Sequence, residues 1–237
     1  MGRVRAIFFD AGATLFRERS SRAAIYAEVA RGHGLEVDGA QVAAAMRASH
    51  AELPRQVGGA FRYSRPWFER FIADVFARVG HPRLPTGVAP ELFARFVDAA
   101  TFRLFDDVVP TLTELAARGI MLGVVSNWSE TLEELLGRLG LARRFRVVLA
   151  SAREGVEKPE PELFRRALER AGVAAAEALH VGDQIEKDVA GARAAGITPV
   201  LLDRERAHRD FDGASIVGLG ELLLLPLILE GTDPTLA

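Results

Sequence analysis

The chain has 237 residues, 49% of them hydrophobic and 26% charged, enough for one sizeable core or a core with a smaller module. A net charge of −2 carries no electrostatic footprint for nucleic acid or an anionic membrane, and the absence of cysteine excludes disulfides, thiolate metal sites and cysteine nucleophiles. Of the 30 basic residues only Lys158 and Lys187 are lysines, so chemistry that needs an ammonium group has two candidates.

In chain order, the apolar run 4–10 reads as a buried strand that ends in a carboxylate, Asp10. It follows the first residues directly, with no secretory segment, and Ala6 departs from a myristoylation signal; a cytoplasmic protein is expected. From Phe16 to Asp107 the pattern is helical, at 21–31, 39–52, 66–79 and 90–100, with no strand expected. This stretch reads as an inserted all-α module. It contains an Arg-rich aromatic turn with Arg62, Tyr63, Arg65 and Trp67, whose arginines either face a ligand or are simply solvated.

Further on, runs at 120–126, 146–150, 178–182 and 198–202 alternate with amphipathic segments at 110–118, 129–139, 161–171 and 186–195. The alternation predicts an α/β fold, a parallel sheet with helices on both faces. Ser129 is the expected N-cap of one helix, and Gly119, Gly140, Gly172 and Gly196 are expected stops. The apolar stretch 222–229 is interrupted by Pro226 and too short to span a bilayer, and 231–237 reads as a frayed tail.

Four features carry chemistry. Asp10 ends the first strand. Ser126 ends another, with Asn127 next and a helix expected shortly after; its hydroxyl suits an anionic oxygen, although Ser126 or Ser129 equally suits a helix cap. Lys158 precedes Pro159 and Pro161, the second of which suits the first position of a helix; a lysine there either neutralises a phosphoryl group or is a surface residue in a turn. Gly182-Asp183 closes a further strand, with Asp188 five residues on; the two carboxylates suit a hard cation such as Mg²⁺, or cap and support the next helix.

If the strands are parallel, all four features meet at the carboxyl edge of one sheet. A carboxylate, a hydroxyl, an ammonium and an acidic pair gathered there form a phosphoryl-transfer constellation. Asp10 would attack phosphorus, Mg²⁺ would offset the repulsion between carboxylate and phosphate, and Ser126 and Lys158 would hold the transferring oxygens.

With these motifs in order, including Lys-Pro-x-Pro-x-x-Phe at 158–164 and Gly-Asp-x4-Asp-Val-x-Gly-Ala-Arg-Ala-Ala-Gly at 182–196, the chain resembles the haloacid dehalogenase-like hydrolase superfamily. The resemblance implies a Rossmann-like, doubly wound core at 1–16 and 108–237 and a helical cap at 17–107 that closes over the site. It implies catalytic roles for Asp10 and Lys158, substrate contacts from Thr14, Ser126, Asn127 and Lys158, and Mg²⁺ held by Asp10, the Gly12 carbonyl and Asp183, with Asp188 in or beside the metal site. A small phosphorylated substrate is expected.

The chain departs from the family's phosphatases in one place. They read Asp-x-Asp-Gly-Thr, and the second Asp protonates the leaving group; here that position is Gly12, followed by Ala13. Losing a general acid–base group costs about 10²–10⁴ in rate. A phosphatase of low efficiency is therefore expected, with Glu18 a conceivable substitute donor. The alternatives are a 2-haloacid dehalogenase-type hydrolase, which works without metal and would be disfavoured by the retained Asp183, and a member that binds a phosphorylated ligand or protein without turnover. A Schiff-base mechanism from a cap lysine has no lysine available between residues 1 and 157.

Overall fold

The structure is a computed structural model, and it describes residues 3–229; the expected tail at 231–237 lies outside them. β1 (Ala6–Phe9) is followed by the short β2 (Phe16–Glu18) and by helices α1 (Arg22–Gly32) and α2 (Gly39–Glu52). A hairpin of β3 (Gln56–Val57) and β4 (Ala60–Phe61) leads to α3 (Arg65–Arg78) and α4 (Val88–Arg95), and β5 (Phe102–Leu104) returns to the core. Then come α5 (Val108–Ala117), β6 (Met121–Ser126), α6 (Leu132–Arg138), β7 (Val147–Ala150), α7 (Ser151–Glu154) and α8 (Pro161–Ala171). The chain continues through β8 (Ala178–Gly182), α9 (Ala190–Ala194), β9 (Thr198–Leu202), β10 (Ser215–Ile216) and α10 (Pro226–Leu229).

Six strands form one parallel sheet in the order β10-β9-β8-β1-β6-β7, so the expected α/β fold is found. β1 is central and fully buried, and its pleat divides its side chains between two cores. Ile7 and Phe9 pack with Leu112, Leu135 and Val181 on one face, whereas Ala6 and Phe8 pack with Leu163, Phe164 and Ala167 on the other. Helix α8 joins the second core through a stripe of Leu163, Phe164, Ala167, Leu168 and Ala171; Pro161 opens it and Gly172, with φ +66°, closes it.

Phe9 is in register with both Val124 and Val181. Asp10 therefore stands level with Val125 and Gly182, and Ser126 and Asp183 lie one residue beyond, at the same sheet edge. This is the crevice where open α/β sheets hold ligands.

The segment between β1 and α5 is not wholly helical. The antiparallel pair β2–β5 and the hairpin β3–β4 correct the expectation of an all-α module. Neither pair is long enough to show a clear alternation of apolar and polar residues. The helices α1–α4 share a third hydrophobic cluster, with Tyr26, Trp67, Phe71 and Phe76 at its centre. The helix expected at 90–100 starts at Val88 and stops at Arg95, and a separate 3₁₀ turn at Ala99–Thr101 is capped by Asp98. Among the described residues no helix is long and apolar enough to cross a membrane.

His50, on α2, accepts or donates one hydrogen bond with the Tyr63 hydroxyl at 2.9 Å. Partial burial, together with the charges of Arg62, Lys187 and Arg22, lowers its imidazole to about 4. The unfolded imidazole takes up a proton near ~6.5, so between these values the unfolded chain binds more protons and stability falls as pH drops. The ring is only partly buried and is screened by solvent, which leaves a loss of about 1–2 kcal/mol between pH 7 and 4.5. Urea unfolding at the two pH values should show this loss, and His50→Gln should remove it; an equal pH dependence in the variant would disprove the assignment.

Candidate active site

Lys158 lies at the centre of the sheet edge. Its ammonium donates to Asp10 Oδ1 at 2.7 Å and to Asp188 Oδ1 at 2.6 Å, and all three residues are at most 5% exposed. Burial alone would lower the ammonium's pKa, but the two carboxylates outweigh it and hold Lys158 protonated. Burial would likewise raise Asp188, yet Lys158 and His180 hold it below the usual carboxylate range. Asp188 also accepts from His180 Nε2 at 2.9 Å and from the Gln184 N–H at 3.0 Å. Because an ionised carboxylate only accepts, the proton of His180 is on Nε2.

Three local features bring these groups together. Asn127 clamps the backbone of Lys158: its Oδ1 accepts from the Lys158 N–H at 2.8 Å and its Nδ2 donates to the Lys158 carbonyl at 3.0 Å. A Cβ on Gly182 would stand 2.2 Å from Asp188 Cγ, so only glycine admits the carboxylate there. A Cβ on Gly191 would meet Phe164 at 2.5 Å and Pro159 at 3.0 Å, so that glycine lets α9 close on the Lys158 loop. The helix expected at 186–195 accordingly begins as a wide π turn, Ile185–Val189, in which the Asp188 carboxylate folds back on the Gln184 N–H.

Asp183 differs from its neighbours. Its Oδ1 is buried without a hydrogen-bond partner, and burial, Asp10 and Asp188 push its carboxyl up to about 6. It does not cap a helix; Gln184 occupies that position without a side-chain bond. Oxygens of Asp10, Asp183 and Asp188 lie within 4.8 Å of one another. An orphaned buried carboxylate oxygen beside two further carboxylates fits a hard cation, which would satisfy Asp183 and relieve the repulsion.

The remaining expected residues are placed as follows. Ser126 ends β6 and is buried. Thr14 is fully buried; its hydroxyl has no partner and its carbonyl accepts from Arg204 at 3.0 Å. Gly12 lies under Trp128, whose Cζ3 would be 3.2 Å from a Cβ there. Ser129 bonds Thr131 Oγ1 at 2.6 Å rather than capping α6, which starts later, at Leu132. Glu18 accepts from Arg22 at 2.6 Å.

From the aromatic turn, Trp67 packs in the helical cluster and Arg65 pairs with Glu69 on the surface. Arg62 instead reaches Glu157 at 3.4 Å, next to Lys158, and Arg55 reaches the same carboxylate at 3.0 Å. Sequence reasoning missed Arg55, Trp128 and Arg204. Arg204 pairs with Asp107 at 2.9 Å, tying the β1 loop to the start of α5. Arginines are so numerous here that neither Arg55 nor Arg204 was distinguishable by residue type.

Residues 4–196 match the model of the haloacid dehalogenase-like hydrolases. The chain is 33% identical to haloacid dehalogenase-like hydrolase domain-containing protein 3 of Danio rerio, over 87% of this chain and 89% of that one. It is 34% identical to a phosphoserine phosphatase of Thermus thermophilus, covering 92% and 96% of the two chains. A solved structure of a HAD phosphatase from Thermococcus onnurineus superposes with a TM-score of 0.70 at 26% identity, over 97% of this chain and 99% of that one. The chain belongs to the haloacid dehalogenase-like hydrolases, and it is a hydrolase.

Gly182→Ala tests the packing that sets Asp188. The added methyl cannot coexist with the carboxylate in place, and overpacking of this kind costs about 1–3 kcal/mol. Urea denaturation should report a loss in that range; wild-type stability in the variant would mean that the turn at Ile185–Val189 adjusts freely.

Proposed function

We propose that the chain is a Mg²⁺-dependent phosphomonoesterase of low intrinsic turnover, acting on small phosphorylated metabolites in the cytoplasm. The observation that carries the reading is the buried ammonium of Lys158 between Asp10 and Asp188, beside the unpartnered Asp183 oxygen. A positively charged group and a cation site beside a carboxylate suit the approach of a phosphate dianion. The relative named as a phosphoserine phosphatase supports phosphate ester chemistry, though not that substrate.

In this reading Asp10 is the nucleophile. Lys158 holds Oδ1 and fixes the carboxylate plane, leaving Oδ2 to attack phosphorus. The P–O bond to the leaving oxygen breaks, and an aspartyl phosphate forms. Water then attacks that phosphorus, phosphate leaves, and the Asp10 carboxylate is restored. Lys158 and Ser126 hold the phosphoryl oxygens, and Asn127 acts through the backbone it clamps. Asp10, the Gly12 carbonyl and Asp183 would hold Mg²⁺, which when bound supplies positive charge between carboxylate and phosphate. Asp188 keeps Lys158 and His180 in place. Residues 17–107 act as a cap on a core formed by 1–16 and 108–237, with Glu157 joining the two through Arg55 and Arg62.

Phosphate release from an activated aryl phosphate should require Mg²⁺ and fall below detection in Asp10→Asn. Metal-independent halide release from a 2-haloacid, without phosphatase activity, would overturn the reading in favour of a dehalogenase.

A second test concerns the missing acid. Gly12→Asp should raise turnover of alkyl phosphates, but the indole of Trp128 must give way first. We expect a gain of about tenfold, below the ~10²–10⁴ of a well-placed acid, and a larger gain when Trp128→Leu is added. No gain in either folded variant would show that leaving-group protonation is handled elsewhere.

A further inference from the structure

A cavity of about 120 Å³ lies between the helical cluster and the loop after β6. Eight of the residues around it are aromatic, among them Tyr26, Phe71, Phe93, Phe96 and Trp128, and Arg22 is the only charged one. That arginine is already paired with Glu18 at 2.6 Å. The volume is close to that of an apolar cavity of ~150 Å³ that takes up benzene, so there is room for one six-membered ring and little more.

The cavity is joined to the reaction site by two consecutive residues. Asn127 borders it and clamps Lys158; Trp128 borders it and covers Gly12. Gly12 is where a proton donor to the leaving oxygen would stand, so whatever departs from phosphorus does so beside the Trp128 indole. Tyr26 also borders the cavity, and being fully buried it contributes apolar wall.

The chemistry converges on the same substrate from the other side. With no side chain at position 12, the leaving oxygen departs without a proton from it, which favours an alcohol acidic enough to leave as its anion. Phenols meet that condition and fill an aromatic cavity; sugar and amino-acid alcohols do neither.

We propose that the substrate class is the phosphate monoester of a monocyclic phenol, with the ring seated in the aromatic cavity against Trp128. The proposal rests on the phosphomonoesterase reading of Asp10. Attack of Asp10 on phosphorus breaks the P–O(aryl) bond; the phenolate leaves with the electron pair and takes a proton from solvent, and water hydrolyses the aspartyl phosphate. The sum is aryl phosphate plus water giving phenol and inorganic phosphate.

The test separates ring recognition from leaving-group acidity. Phenyl phosphate is compared, with Mg²⁺, against the phosphate ester of a fluorinated aliphatic alcohol as acidic as phenol. The phenyl ester should be favoured in kcat/KM by about tenfold to a hundredfold, the range that hydrophobic pockets discriminate. Met46→Trp, which fills the cavity from α2, should erase that preference by lowering kcat/KM for the phenyl ester. Equal rates for the two esters in the unmodified protein would overturn the proposal, whether or not the variant folds. Calorimetry with phenylphosphonate and methylphosphonate reads the cavity without turnover. If neither ester is hydrolysed, the phosphomonoesterase reading fails; tighter phenylphosphonate binding, lost in Met46→Trp, would still uphold the ring site, and equal binding would overturn it.

Discussion

The site depends on one ammonium group between two carboxylates. Lys158, Asp10 and Asp188 are almost completely removed from water, and their charges are tolerable only together. Removing one partner from such a cluster leaves an uncompensated buried charge, at a cost of about 3–5 kcal/mol. Much of the surrounding architecture serves this geometry. Asn127 fixes the backbone at Lys158, Gly182 makes room for Asp188, and Gly191 lets the two segments approach. Asp183 stands outside the balance: it faces two carboxylates and lacks a protein donor for Oδ1, which distinguishes a place for a cation from an ordinary ion pair.

Around Gly12 the structure replaces a carboxylate with an indole. Trp128 packs edge-on against Phe16 at 5.5 Å and near Phe102 at 6.0 Å, so it belongs to the core as much as to the site. Restoring an acidic side chain at position 12 therefore means repacking aromatic residues, not filling an empty space. Ala13 has φ +57°, a left-handed conformation that costs an L-residue with a Cβ about 1–2 kcal/mol. The tight turn after β1 is thus kept even though neither of its two characteristic family residues is present.

The sheet was legible because buried parallel strands are continuous apolar runs, and β1, β6, β7, β8 and β9 coincide with those runs to within about two residues. Helix α8 was legible to the residue, since Pro161 and Gly172 mark both of its ends. Other details depended on tertiary contacts. The ribbon β2–β5 has strands of three residues, and β10 has two, too short for periodicity to register. The π turn at Ile185–Val189 follows from where Asp188 must reach, which neighbouring residues do not encode. Asp10, Lys158 and Asp188 were singled out together because the motifs that hold them follow one another in the order seen in the haloacid dehalogenase-like hydrolases. The clamp by Asn127 required knowing that two loops, 31 residues apart in sequence, meet, and the cover by Trp128 that its loop also meets Gly12.

The loop after β6 has two faces, and this links the chemistry to what is bound. On one side Asn127 positions the lysine that holds the Asp10 carboxylate; on the other, Trp128 borders the aromatic cavity. The helical segment supplies the opposite wall; buried Glu157, which directly precedes Lys158, takes its Arg55 and Arg62, while Glu160 also pairs with Arg55 and Glu130 accepts from the Arg65 N–H. A movement of that segment therefore acts at once on the cavity wall and on the residue beside the lysine. Under the proposed reading, recognition of a ring and alignment of the nucleophile are coupled through adjacent residues at both contacts, without a long path between two distant sites.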